Sequence, residues 1–439
     1  MITKEQQNLA RWAMETALKN GCKACRVAIY TGTESSFEVR DTQLDKLQQS
    51  DSSQLVLQLF AEGRYGSIST NRLDRGELER FIKQGIASTK MLAVDEFRQL
   101  PDPSLYFKGP VQDLKKIDPS YSSISADAKI ALARATAAEI FGTDTRLISV
   151  SGSYGDGVDN SFMVDSQGFE GNTGSTYFSL SASASVHGEG DARPESYDYD
   201  SALFFNDLRK DGIGKKSLEY ALRKIGQTKI KSGQYSMLVD NRIARNLLSP
   251  LISAINGSAI QQKSSFLLDK LEQKVVSSKL TLIDNPLMVG AMGAKLFDRE
   301  GIAAVKRSVF EQGILKTYYI DTYIGNKLKQ PVTTGGTSVL YFEGGDKSHE
   351  QMLAGIKEGI WVTGFNGGNC NGTTGNFSYG VEGFWVENGE VKQPVSEMNI
   401  TGNMLTLWSN LAEIGNNPVK NSSWRTPGLV FDLVDFSGI

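Results

Sequence analysis

Histidine is nearly missing from this 439-residue chain, occurring only at His187 and His349. Imidazole is the most versatile general base and metal ligand at neutral pH, so a hydrolytic site built on histidine must use one of these two. Cysteine is almost as scarce: Cys22, Cys25 and Cys370 make an odd count of three, which excludes a disulfide framework and fits a reducing cytoplasm. Charge of one sign is not in excess, since 47 Lys+Arg against 50 Asp+Glu leave a net −3. Without a basic stripe there is no electrostatic footprint for nucleic acid, and none is expected as a partner. No run of about 18 apolar residues occurs, and residues 1–12 lack an apolar leader core. Neither membrane spanning nor secretion is expected.

What is present is apolar material at 40% of residues, in a chain longer than one core can serve, so two or three units are expected. Thr3 with Gln6 forms a capping-box pattern ahead of Leu9, Trp12, Ala13 and Ala17 at helical spacing, and Asp74 with Glu77 opens a second such helix. Between them, alternating apolar residues predict two hairpins, Ala24 to Arg40 turning at Thr31-Gly32 and Gln54 to Thr70 turning at Glu62-Gly63. Prolines from 101 to 119 mark a connection. A helix is predicted from Ser125 to Phe141, meandering strands from Leu147 to Val186, and a helix from Lys216 to Ile225. Tyr235 to Val239 reads as a strand and Ile243 to Ile255 as a buried helix kinked by Pro250. After Leu280, short strands and glycine turns dominate, with Asn388-Gly389 as a hairpin turn. The fold class is therefore α+β, with a mixed helix and strand N-terminal half and a mostly antiparallel β C-terminal domain. The expected division is 1–115, 116–230 and 231–439, the last carrying a central helix at about 240–256.

Cys22 and Cys25 have dithiol spacing, yet they follow a helix stop and enter an apolar strand, so they read as small buried hydrophobes rather than a zinc or redox pair. His187 lies among glycines and acids in residues 185–191 and reads as a solvated loop residue; His349 reads as a helix-start surface residue. Residues 366–389 combine dense glycine with amides, hydroxyls and an aromatic hairpin. Such a backbone can be approached closely by another chain. Phe377, Tyr379, Phe384 and Trp385 supply more aromatic surface than a small hairpin buries, which predicts a partner or a deep cavity wall over them.

The same stretch resembles a known family. Gly367-Gly368, Thr374-Gly375, Ser378, Gly380, Gly383-Phe384-Trp385, Glu387-Asn388-Gly389, Pro394-Val395, Glu397 and Gly402-Asn403 are similar to the C-terminal signature of the TldD/PmbA family, cytoplasmic metallopeptidases or their partners once named modulators of DNA gyrase. Gly63-Arg64-Tyr65-Gly66 with Ser69-Thr70 resembles the family's N-terminal hairpin, and residues 263–269 the segment after the central helix in its PmbA (TldE) branch. The TldD branch carries HExxxH on that helix, two zinc ligands and a general base. Here the matching residues are Ser249 and Pro250, with Ala254 in place of the second histidine.

The resemblance therefore implies a PmbA/TldE-type subunit without catalysis of its own. It implies pairing with a TldD-type zinc peptidase or with itself, binding of unfolded or short peptides, and zinc only in a catalytic partner. Gly367, Gly368, Asn369, Cys370, Ser249, Pro250 and Ser253 are the expected cavity-lining residues. The alternative is a peptidase active alone, through a constellation such as Cys370 with His187.

Overall fold

The computed structural model describes residues 2–439. Helix α1 (Lys4–Lys19) starts where Thr3 accepts from the Gln6 N–H and Gln6 accepts from the Thr3 N–H, and it buries Leu9, Ala10, Ala13 and Ala17. Strands β1 (Ala24–Arg40), β2 (Gln43–Ala61) and β3 (Arg64–Thr70) follow, then α2 (Arg75–Thr89), capped by Asp74. After the proline-rich connection come α3 (Ala126–Ala138), β4 (Leu147–Asp165), β5 (Glu170–Val186), β6 (Glu195–Ala202) and α4 (Ile213–Leu222).

These strands make one antiparallel sheet in the order β3-β2-β1-β4-β5-β6. The sheet is continuous across residue 115, so the segments on either side of that point share a single layer. Alternation along each strand sends Val27, Ile29, Phe37 and Val39 to one face. There α1 and α2 cover one end of the sheet and α3 and α4 the other, giving two apolar clusters. The opposite face, at Ala28 and Met163, meets Phe297 of the C-terminal domain.

One predicted hairpin is corrected. Thr31-Gly32 is not a turn: β1 passes straight through, with Gly32 opposite Ser52 on one side and Asp159 on the other. A Cβ at Gly32 would come within 3.0 Å of Asp159 Oδ1 and 3.2 Å of Ser52 Oγ, so the glycine makes room for neighbouring side chains. The chain reverses at Asp41, which takes the positive φ of 53°. By contrast Glu62-Gly63 and Asn388-Gly389 are the expected tight turns, both residues of each pair having positive φ.

The C-terminal domain runs β7 (Gly233–Val239), α5 (Arg245–Ala254), α6 (Gly257–Gln261), β8 (Leu282–Asp284), β9 (Arg307–Glu311), β10 (Ile314–Leu315), α7 (Thr322–Leu328), β11 (Leu340–Phe342), α8 (His349–Ala354), β12 (Glu358–Cys370), β13 (Asn376–Glu387), β14 (Glu390–Asn403), α9 (Met404–Ser409), β15 (Leu411–Ile414), β16 (Trp424–Arg425) and β17 (Leu429–Ser437). Its main sheet has the order β14-β13-β12-β7-β17-β15, and β14 also pairs with β17, closing the sheet on itself. Only β12 with β7 is parallel in it. A smaller sheet, β10-β9-β8-β11-β16, packs beside it.

Helix α5 fills the interior between them, with Leu247, Leu248 and Leu251 fully buried and Trp408 Nε1 donating to the Leu247 carbonyl at 3.2 Å. The helix continues through Pro250 to Ala254. Proline removes one ladder bond, and the packed leucine face offsets it. The domain thus has the α+β character and antiparallel sheets expected, while no helix among the described residues is long and apolar enough to cross a membrane.

Candidate functional site

The joint between the two halves of the molecule holds a cleft of about 740 Å³. One wall is β6, with Tyr197 and Tyr199, and α4 with Tyr220, followed just past the helix end by Arg223 and Lys224. The other is the start of α5 at Asn246, the start of α8 at His349, and β12 and β13 at Trp361, Asn366, Glu382 and Phe384. Lys224 bridges the walls, its ammonium 2.6 Å from Glu382 Oε1, with both side chains less than a fifth exposed. Such a pair gains from reduced solvent screening and fixes the spacing of the cleft.

Arg223 stands beside it without an acid. Its guanidinium lies 4.5 Å from the Phe384 ring centroid and 4.9 Å from that of Trp361, while His349 packs against the other partner of this stack, Trp361, at 4.7 Å. Among the described residues Arg223 makes no ion pair or side-chain hydrogen bond, so its N–H edge is held in place by stacking and is available to an anion. Arg242 is different: Asp240 at 3.2 Å and Asp198 at 3.8 Å neutralise it while it lies over Tyr220. Burial raises the Tyr220 hydroxyl above its ordinary range, with Asp198 and Asp240 adding to the shift against Arg242, so the phenol stays a neutral donor.

None of the seven expected site residues is among those lining this cleft, although they lie on two of the elements that form it, α5 and β12. Asn246 and Asn366 line it. One and two helical turns beyond Asn246, on the same side of α5, come Ser249 and Pro250 and then Ser253. Past Asn366 on β12 come Gly367, Gly368, Asn369 and Cys370. Ser249 and Pro250 are half-buried, Ser253 and residues 367–369 exposed. The glycines serve this chain's own sheet as much as a visiting one. Two bulges interrupt the β12–β13 register, and a Cβ on Gly368, which has φ +103°, would sit 2.1 Å from the Ser378 carbonyl oxygen. Gly367 alone of the pair faces open space.

The aromatic hairpin is also covered from within. Phe377 and Phe384 are buried, Phe377 stacks on Tyr379 at 5.5 Å, and Trp385 meets Tyr235 edge-on at 5.1 Å. Partner coverage is therefore not required by these rings, because the closed sheet brings β7 and β12 side chains over them.

Cys370 and His187 do not form a catalytic pair. The Cys370 sulfur lies 3.8 Å from the Asn371 carbonyl, and burial alone pushes its thiol up. His187 sits exposed after β5, its backbone N–H bound to the Arg146 carbonyl. Cys22 and Cys25 are buried free thiols, both raised chiefly by burial, Cys22 to about 11. Among the described residues no three His, Cys, Asp or Glu side chains converge to hold a metal ion. At the positions in question α5 offers a hydroxyl, a pyrrolidine ring and a buried methyl at Ser249, Pro250 and Ala254, none of them a metal ligand, so a catalytic zinc does not fit this helix.

Sequence reasoning missed Arg223, Trp361 and the Lys224–Glu382 bridge. The bridge joins residues 158 apart in sequence, and a cation at the end of an amphipathic helix carries no local sign of what it will face.

Three domain families match the chain: PmbA/TldA metallopeptidase domain 1 over residues 25–89, the central domain over 119–225 and the C-terminal domain over 232–438. The chain is 27% identical over 441 residues to the metalloprotease PmbA of Escherichia coli O157:H7, covering 99% of this chain and 97% of that protein. It also matches, over all of both chains, a Bacteroides thetaiotaomicron crystal structure named as a modulator of DNA gyrase, with 56% identity and a TM-score of 0.98. TldE from Thermococcus kodakarensis shares the fold, with a TM-score of 0.83 at 19% identity over 98% of this chain and 99% of that one. Taken with the bulged, glycine-rich β12–β13 pair and its neighbouring helix, these matches show that the chain belongs to the PmbA/TldD metallopeptidase family.

Proposed function

We propose that this chain is a peptide-holding subunit of the PmbA/TldE type, working in the cytoplasm beside a TldD-type zinc peptidase or a second copy of itself and performing no hydrolysis alone. The observation that carries this reading is the make-up of α5: set against the family's HExxxH, Ser249, Pro250 and Ala254 stand where a zinc peptidase would need its two imidazoles and a carboxylate. The zinc of the complete enzyme would then belong to the partner. The cleft supports the peptide half of the reading, since it joins aromatic walls to one stacked, unpaired guanidinium, the combination that holds an extended chain and its terminal carboxylate.

The test is a set of binding measurements on the purified chain, alone and mixed with a HExxxH-bearing family member. Sedimentation should show a complex, and fluorescence anisotropy should show binding of unfolded peptides that Arg223→Ala weakens by about 1.5–3 kcal/mol, the worth of a hydrogen bond to a charged group. A strict monomer beside its TldD-type partner, without affinity for peptides, would refute the proposal.

A further inference from the structure

A second cavity, of about 930 Å³, lies where residues 111–119 of the connection cross the middle of β4 and the start of β5 and meet residues 294–297 of the C-terminal domain. It shares no lining residue with the cleft. Leu114, Leu296 and Phe297 give it apolar walls, and Lys116 and Lys295 line it from two different segments. Both lysines are half-buried, and among the described residues neither is in an ion pair. Lys295 Nζ donates to the Thr337 carbonyl at 3.2 Å. Among the described residues the Lys116 ammonium donates to nothing, although its backbone is pinned by the Thr176 N–H on its carbonyl at 2.9 Å. Asp113, the acid on the rim, is exposed and accepts from the Lys115 N–H at 2.8 Å.

Two ammonium groups withdrawn from water without an ion-pair partner are costly, and the more distant Asp284 and Asp298 carboxylates offset this only in part, and only for Lys295. Burial holds both below the ordinary lysine range, and the charge of Lys295 lowers Lys116 further. An anion between them removes both penalties, and the amides of Asn160 and Asn172 on the same wall can add neutral donors. We propose that this cavity binds a small organic anion, with a carboxylate or phosphate held between Lys116 and Lys295 and an apolar body against Leu114, Leu296 and Phe297.

Pyridoxal 5′-phosphate, an aromatic aldehyde bearing a phosphate, tests this directly. The unprotonated lysine amine attacks the aldehyde carbon, water leaves as the imine forms, and added borohydride reduces the C=N bond to a stable secondary amine that peptide mass mapping locates. At pH 7.5, without phosphate buffer, label is expected at Lys116 at least tenfold faster than at exposed Lys215. Protection is expected from 3-phenylpropionate or phenyl phosphate, the stronger of the two identifying the head group, and not from 3-phenylpropanol. Lys295→Gln should weaken that protection at least fivefold while Lys295→Arg keeps it, with thermal unfolding confirming that both variants are folded. Labelling of Lys116 no faster than Lys215, equal protection by the neutral alcohol, or inorganic phosphate protecting as well as either organic anion overturns the proposal.

Discussion

Replacing Lys129 with methionine tests the account of how the N-terminal sheet is held to its helices. Lys129 enters from α3 and places its ammonium 2.6 Å from Asp156 Oδ2 on β4, the two side chains being 8% and 0% exposed. Lys129 also donates to Ser35 Oγ at 2.9 Å. Asp156 accepts from Ser35, from the Tyr154 hydroxyl at 2.8 Å and from that of Tyr121 at 3.3 Å. Removing one partner of a buried pair costs about 3–5 kcal/mol because the other charge is left uncompensated. Three hydroxyl donors stay on the carboxylate, so the low end applies, about 3 kcal/mol. At 2–4 °C per kcal/mol for a unit of this size, the apparent Tm should fall by roughly 6–12 °C. Adding Asp156→Asn removes the stranded charge while keeping an acceptor for the hydroxyls, so the double variant should recover at least about 1.5 kcal/mol relative to additivity. Circular dichroism melts and urea titrations of the four proteins measure both quantities. A Lys129→Met variant melting within about 2 °C of wild type, or strictly additive costs, would show that the pair is not the fastening described.

Gly368→Ala should destabilise by about 2 kcal/mol and Gly367→Ala by about 1, because both need positive φ but only the first brings a Cβ against a carbonyl oxygen; equal melting temperatures would count against the bulge geometry. Iodoacetamide at pH 8 should modify Cys370 in the native protein and all three cysteines after unfolding, given that Cys22 and Cys25 are buried with raised thiols; two or three native adducts by mass would contradict that burial. Burial raises the Glu300 carboxyl even though the Thr322 N–H and hydroxyl favour its anion. The folded state then holds this proton more tightly than the unfolded chain, so stability falls as pH rises through the raised value, and Glu300→Gln should flatten that part of the Tm against pH curve. An unchanged curve would remove Glu300 from the account.

Much of the scaffold was legible because its signals are short-ranged. Thr3 and Asp74 cap helices through bonds to residues two or three positions away, and Glu62-Gly63 and Asn388-Gly389 turn the chain by their own backbone conformation. Where the same reasoning failed, a distant strand had intervened. Thr31-Gly32 has turn composition, yet β1 is paired along its length on both sides, and a ladder of that extent outweighs the preference of two residues. The helix predicted from Lys216 begins three residues earlier at Ile213, where Gly212 supplies the left-handed cap.

The candidate site divides the same way. The sequence by itself determined which chemistry is missing, since residue types need no geometry: two histidines, neither on α5, leave that helix without imidazole ligands. It also singled out β12 and α5 as the elements of interest. Only the tertiary structure decided that Arg223 would lie over the paired rings of Trp361 and Phe384, that Lys224 would reach Glu382, and that the aromatic hairpin would be covered by its own sheet. The physical reason is one of range. Capping, turn formation and residue chemistry act within about four positions along the chain, whereas a cleft is made by surfaces that meet only after a sheet has closed and two cores have been packed against each other.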